Sequence, residues 1–382
     1  MIRLESVSKR YGDGTVAVDD LTLEVADGET CMLVGPSGAG KTTTMRMINR
    51  LIEPTSGHIF IGDEDVTKVD PVALRRRIGY VIQQVGLFPH LTVEDNVGTV
   101  PRLIGWDRAR VRRRTAEMLE LVGLDQARFG RRYPAELSGG QRQRAGVARA
   151  LAADPPVLLM DEPFGALDPI TRDRLQGEFL GLQQEVRKTV VFVTHDIEEA
   201  IRLGNRIAVL ADGGRLEQYD TPANLLGAPA NQFVADFVGA DRGLKRLSVT
   251  GIPPDDLARP PVVGTGSPVA EARGVLVDSH SRWAVVLDAS GALRGWVGVE
   301  ELEGEGLVGD RAHRMEATVQ VSETLKQAFS EMLKYDAGWV AVLDGDHYLG
   351  VLTPDSLHAA LRRSVDRADG SPPEPSPLIE EL

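Results

Sequence analysis

Gly35-Pro36-Ser37-Gly38-Ala39-Gly40-Lys41-Thr42-Thr43 is the stretch on which the fold turns. An apolar run, Cys31-Met32-Leu33-Val34, precedes it, and Met45-Arg46-Met47-Ile48-Asn49-Arg50-Leu51 follows as a candidate helix. Strand, glycine loop and helix in this order are the setting a phosphate-binding loop requires. Glycines let successive backbone N–H groups turn inward round an anion, and the helix N-terminus adds the positive end of its dipole. In that setting Lys41 reaches the β- and γ-phosphates of a nucleotide, and the Thr42 hydroxyl ligates Mg²⁺.

Upstream of the loop, Ile2–Val7 and Leu21–Val25 alternate with period two and read as short strands. Tyr11 lies on the turn between them and reads either as a platform for an adenine ring or as a locally packed tyrosine. Downstream, Glu53–Gly62 reads as a hairpin, and Arg77–Ile82 as a strand ending at Gln83-Gln84. Residues 92–129 carry apolar positions at helical spacing, with Arg108, Arg110, Arg112, Arg113 and Arg114 on a solvated face. Leu137-Ser138-Gly139-Gly140-Gln141 precedes a further helix, for which Ser138 is a good N-cap.

Val157-Leu158-Leu159-Met160 is a continuous apolar run, as in a strand buried on both faces of a parallel sheet. It delivers Asp161-Glu162 at its C-terminal end, where ligands bind in such sheets. Neighbouring strand-end carboxylates point different ways, so one can hold a Mg²⁺ shell while the other takes a proton from an attacking water. Val190–Thr194 is a second buried strand leading to His195-Asp196, and Ile207–Leu210 a third. Strands alternating with helices over 171–187 and 196–204 give an α/β class with a mainly parallel sheet.

The chain of 382 residues has room for two or three domains, and its 42% hydrophobic and 26% charged content is that of a soluble globular protein. Cys31, its one cysteine, excludes an internal disulfide and fits a reducing compartment. The N-terminus lacks an apolar signal core, so no export is expected, and no window nears 18 consecutive apolar residues. Residues 1–240 hold 29 Lys and Arg against 33 Asp and Glu, net −4; the remainder hold 14 against 23, net −9. That acidity argues against nucleic acid as a partner and against simple adhesion to anionic lipid.

With these motifs in this order, residues 1–240 resemble an ABC transporter ATP-binding subunit. The resemblance implies a P-loop ABC ATPase fold with a mainly parallel sheet, an antiparallel β subdomain and a helical subdomain. It implies that Gln83 touches Mg²⁺ and water, that Asp161 holds Mg²⁺ with Thr42, and that Glu162 is catalytic. His195 matches the switch histidine at the γ-phosphate, Tyr11 the aromatic that stacks on adenine, and Ala166-Leu167-Asp168 the D-loop. Leu137–Gln141 matches the signature, in which Ser138 and Gly140 contact ATP held by the opposite subunit of a homodimer. Leu87-Phe88-Pro89-His90 resembles the surface that grips a transmembrane permease. By the same resemblance the protein works at the cytoplasmic face of the membrane, attached through that permease.

In the C-terminal part, Trp283–Asp288 and Trp339–Asp344 repeat at a spacing of 56, each followed by a turn and a second strand and preceded by a helix candidate. This looks like a tandem α+β CBS pair: a degenerate copy over 261–310 and a fuller one over 311–365, after a linker at 241–260. A regulatory role, with an adenine nucleotide as possible ligand, stands beside a purely structural one. Residues 366–382 read as a disordered acidic, proline-rich tail.

An ABC ATPase with a CBS pair resembles the uptake systems for glycine betaine, proline, carnitine and choline. The stretches Gly79–His90 and Asn96–Trp106 fit that subfamily, which implies a partner substrate-binding protein outside the cytoplasm. Competing readings are an ABC ATPase for another substrate, a soluble one acting on nucleic acid or ribosomes, and a nucleotide sensor without turnover.

Overall fold

The computed structural model describes residues 1–83, 86–165 and 167–364. The expectations for Gln84, Ala166 and the tail from 366 lie outside the described residues. The chain divides into two compact units; the first runs to Gly239, apart from the short stretch Leu226–Ala228, and the second begins at Ala240.

The first unit holds two sheets. Strands β1 (Ile2–Arg10), β2 (Val16–Val25), β4 (Ser56–Ile61) and β5 (Glu64–Asp65) form an antiparallel sheet in the order β2-β1-β4-β5. Strands β3 (Thr30–Val34), β6 (Ile78–Val81), β7 (Val157–Asp161), β8 (Thr189–Val193), β9 (Arg206–Ala211) and β10 (Arg215–Asp220) form the second, in the order β10-β9-β3-β8-β7-β6. Its pairs are parallel except at the β10 edge. Every residue of β3, β7 and β8 is buried, the pattern their apolar runs predict for strands covered on both faces. One core cluster joins Ile2, Leu4 and Leu21 of the antiparallel sheet to Leu33, Leu159 and Val193 of the parallel one, with Met45 and Ile48 between.

Register decides where the chemistry sits. Leu33 pairs with Val193, Val193 with Asp161, and Val81 with Met160. The C-terminal ends of β3, β6, β7 and β8 therefore form one edge. The glycine loop, Gln83, Asp161-Glu162 and His195 each leave the sheet there.

Three local expectations are corrected. The helix after the glycine loop spans Lys41–Ile48 and stops short of Leu51, because Arg50 takes a left-handed φ of 48° that no α-helix continues. Glu53–Gly62 is not a hairpin by itself: Ser56–Ile61 is one strand that pairs with β1 and turns at Gly62 into β5. Residues 241–260, expected as a linker, are folded. Leu247, Ile252 and Leu257 are buried in a core with Val319, Leu325 and Val342.

The second unit contains two three-stranded sheets of the same plan. In one, β11 (Val262–Gly264) lies parallel to β12 (Trp283–Leu287), which pairs antiparallel with β13 (Leu293–Gly298). In the other, β14 (Thr318–Gln320), β15 (Val340–Asp344) and β16 (His347–Leu352) repeat that arrangement. A ten-residue helix follows the first strand of each, Val269–Asp278 and Leu325–Lys334. The former runs through Gly274 because Val269, Ala272 and Leu276 bury one side of it. Trp283 and Trp339, equivalent positions of the repeats, stack with centroids 4.3 Å apart and planes at 10°.

Candidate functional site

The loop at the end of β3 is shaped by close backbone approach. A Cβ on Gly35 would collide with the Leu210 carbonyl and one on Gly40 with that of Ala17, and Gly40 adopts φ 72°. Lys41 Nζ donates to the carbonyls of Gly35 at 2.8 Å and Pro36 at 2.7 Å. Lys41 is buried; desolvation lowers its pKa, opposed by the carboxylates of Glu162 and Asp161. No side chain caps the helix Lys41–Ile48, whereas Asp70, Thr92, Asp107, Ser138, Asp168 and Asp196 each cap the helix they precede. The first-turn N–H groups are thus left to an external acceptor, which fits a phosphate. Ser37 and Gly38 are exposed at the tip, with Ala39 packed inward and Thr43 half-buried beneath.

Thr42 Oγ1 donates to Asp161 Oδ1 at 3.2 Å. Asp161 is buried, and burial raises its pKa against the lowering effect of that hydrogen bond. A hydroxyl and a carboxylate side by side are hard oxygen donors of the kind Mg²⁺ takes. Among the described residues no group of three His, Cys, Asp or Glu side chains could hold a metal alone. The pair therefore fits a Mg²⁺ whose other ligands are phosphate oxygens and water.

Glu162 departs from Asp161 in direction, as adjacent strand-end residues should. Its Oε2 accepts from Gln83 Nε2 at 3.0 Å, and its Oε1 lies 3.1 Å from His195 Nδ1. Glu162 N donates to the Val193 carbonyl at 2.9 Å, holding the residue at φ 43°, a conformation that costs about 1–2 kcal/mol outside glycine. Gln83 and His195 are exposed and Glu162 half-buried, so all three are open to a ligand. Three residues far apart in the chain converge on one carboxylate.

The signature forms a second group, on another element. Ser138 caps the helix Gly139–Leu151 in a capping box: its hydroxyl accepts from Gln141 N, and Gln141 Oε1 accepts from Ser138 N. Leu137 is buried, and its carbonyl accepts from Arg142. Gly139 and Gly140 face Leu167 and Thr171. Asp168 caps the helix Pro169–Val186, accepting from Thr171 N at 3.0 Å, which holds its carboxyl below the usual range. Ser138 and Asp168 are exposed. Within one chain the signature thus packs on the D-loop helix, not on the glycine loop.

Tyr11 is exposed on the β1–β2 turn, with Lys9 Nζ 5.3 Å from its ring centroid. The same β-segment reaches the glycine loop at Ala17 and Val18, against Gly40. Two residues escaped the sequence reading. Asn96, fully buried, accepts from Phe88 N and donates to the carbonyls of Phe88, Leu91 and Thr92, so it shapes the loop that carries Phe88 and His90. Arg149 donates to the Gly86 carbonyl at 2.6 Å from the signature helix. An asparagine between Asp95 and Val97 in a short helix is a weak signal, and an arginine on a basic helix is none.

A family model described as ABC transporter matches residues 18–165, and one described as CBS domain matches residues 309–363. The osmoprotectant import ATP-binding protein OsmV of Salmonella typhimurium is 47% identical over 369 residues, covering 94% of this chain and 95% of that protein. The glycine betaine/carnitine/choline transport ATP-binding protein OpuCA of Bacillus subtilis is 45% identical over 363 residues, with 94% and 95% covered. Among solved structures, a dimeric ATP-binding cassette in a post-hydrolysis state with ADP and Pi is 37% identical, with a TM-score of 0.53 over 58% of this chain and 98% of that one.

Proposed function

Because the chain belongs to the ABC transporter ATP-binding proteins that carry a C-terminal CBS domain, we propose that its ATP hydrolysis energises import of methylated-ammonium osmoprotectants such as glycine betaine, carnitine and choline. The observation that carries this reading is colinearity through the second unit. Identity of 45–47% extends over 94% of the chain, past the cassette and through the CBS region, with relatives named for such cargo.

The roles follow from the geometry. Gly35–Thr43 cradle the phosphates, Lys41 exchanges its carbonyl partners for phosphate oxygens, and Tyr11 stacks on the adenine. Thr42, Asp161 and Gln83 would hold Mg²⁺, which would supply positive charge to offset that of the nucleotide phosphates. Glu162 takes the proton of the attacking water as oxygen attacks the γ-phosphorus and the β–γ bridge bond breaks toward ADP. Gln83 and His195 orient that carboxylate through the 3.0 and 3.1 Å contacts, leaving His195 Nε2 for the γ-phosphate.

Ser138, Gly140 and Asp168, exposed or packed away from this chain's own loop, serve the nucleotide of a second copy. The Asn96-braced loop at Phe88 receives a permease, placing the subunit at the cytoplasmic membrane face beside a system with an external substrate-binding protein. Residues 261–310 act as a degenerate CBS copy beside 311–365, and the pair regulates turnover. In a host lacking osmolyte uptake, co-expression with the cognate permease restores growth at high salt on glycine betaine, and Lys41→Ala abolishes the rescue. Rescue by an unrelated solute, and none by any methylated ammonium, overturns the assignment.

A further inference from the structure

A cavity of about 390 Å³ lies in the first unit, apart from the nucleotide site, between the end of the helix Arg108–Leu121, the signature helix and the D-loop helix. That volume suits a small organic ligand. Leu121, Val147 and Leu175 give it apolar walls, and Phe164 and Phe179, edge to face at 6.5 Å, contribute aromatic surface. Its charged residues are Glu120, Glu178 and Glu185 against one cation, Arg144. Arg144 is taken up by Glu178 and by the carbonyls of Val122 and Gly123. The cavity is therefore aromatic and net acidic.

A second observation is independent of the first. Gln143 also lines the cavity and is only 2% exposed, yet its Nε2 has no hydrogen-bond partner among the described residues. A buried amide donor without an acceptor is uncommon and awaits one. Aromatic surface and excess carboxylate select a methylated ammonium, which carries charge but no N–H. The free amide donor asks the same molecule for an oxygen acceptor. A zwitterion with a methylated ammonium and a carboxylate meets both demands.

We propose that this cavity is a feedback site at which the accumulated cargo binds and slows ATP hydrolysis; the ligand's identity rests on the import reading above. The route to the catalytic centre is short. Phe164 stands two residues beyond Glu162 in a turn closed by Gly165 N donating to the Glu162 carbonyl at 3.2 Å. Gln143 lies two residues beyond Gln141 of the signature. A ligand wedged against both favours the arrangement that contains the cavity, the one in which Lys41 is bonded to its own loop carbonyls.

The test uses the purified full chain without permease, so it reads independently of import. Gly181 lines the cavity on the D-loop helix, and a Cβ added there meets nothing within 4 Å; Gly177, on the same helix, is equally open but does not line it. Saturable binding of glycine betaine by equilibrium dialysis, with a fall in ATPase rate, is expected in the wild type and in Gly177→Phe. Gly181→Phe loses at least tenfold in affinity and becomes insensitive. Gln143→Leu weakens glycine betaine but not tetramethylammonium, which has no oxygen to accept from the amide. Binding that survives Gly181→Phe, binding without inhibition, or no saturable binding overturns the proposal. Failure here with glycine betaine import intact leaves the import reading standing.

Discussion

Replacing Glu162 with glutamine isolates the proton acceptor from everything else at the site. The amide oxygen can still accept from Gln83 Nε2 and the amide nitrogen can donate to His195 Nδ1, so both the 3.0 and 3.1 Å contacts survive with the same shape. Because the Glu162 side chain is 23% exposed and isosteric with its replacement, the fold should change in stability by less than about 0.5 kcal/mol. What vanishes is a group able to take a proton. Positioned general bases contribute about 10²–10⁴ in rate, or about 3–5 kcal/mol of barrier at 1.36 kcal/mol per tenfold. We expect phosphate release at saturating Mg-ATP to fall by at least about 100-fold while ATP affinity stays within about threefold, about 0.7 kcal/mol. A loss of turnover below about threefold would refute the assignment of Glu162 as base. So would a loss of ATP binding as large as the loss of rate.

Thr42→Val removes both a cation ligand and the hydrogen bond to buried Asp161, so the Mg²⁺ concentration for half-maximal activity should rise at least about tenfold; an unchanged Mg²⁺ titration would contradict that pairing. Asn96→Ala leaves the Phe88 amide and the Leu91 carbonyl without their side-chain partner, which should cost about 2 kcal/mol in urea unfolding and lower permease-stimulated hydrolysis more than basal hydrolysis. Asp65 titrates below the usual carboxylate range: burial pushes it up, but bonds from Thr67, Lys68 and His58 outweigh burial. A folded-state pKa below the unfolded value of about 3.9 gives stability present above that pH and lost as pH falls below it. Asp65→Asn should therefore flatten the stability profile below about pH 4, read as melting temperature against pH.

The parallel half of the fold was legible because β3, β7 and β8 are unbroken apolar runs, and only a strand covered on both faces needs that. The edge strand β10 was not: Arg215-Leu216-Glu217-Gln218-Tyr219-Asp220 is largely polar and half-buried, so neither alternation nor hydrophobicity marks it. The folded stretch 241–260 hid for a related reason. Its apolar residues are single anchors, Leu247, Ile252 and Leu257, too sparse for a period yet buried by the core they join. At the candidate site, the grouping of Lys41, Thr42 and Asp161-Glu162 was signalled by local spacing. The meeting of Gln83, Glu162 and His195 was not, since it depends on the order β3-β8-β7-β6, which no local pattern encodes. It came only through the family resemblance. The clamp made by Asn96 depends on burial and four backbone partners, none of them readable from its neighbours.

We propose that the two groups in one chain, a glycine loop with its carboxylates and a signature facing elsewhere, are halves of pockets completed by a second copy. Sedimentation of the Glu162→Gln chain tests this most directly. With Mg-ATP its mass should double relative to the same protein without nucleotide, and adding Ser138→Arg should prevent the change while ATP still binds. An unchanged mass with ATP bound, or doubling that ignores Ser138→Arg, contradicts the shared-pocket account.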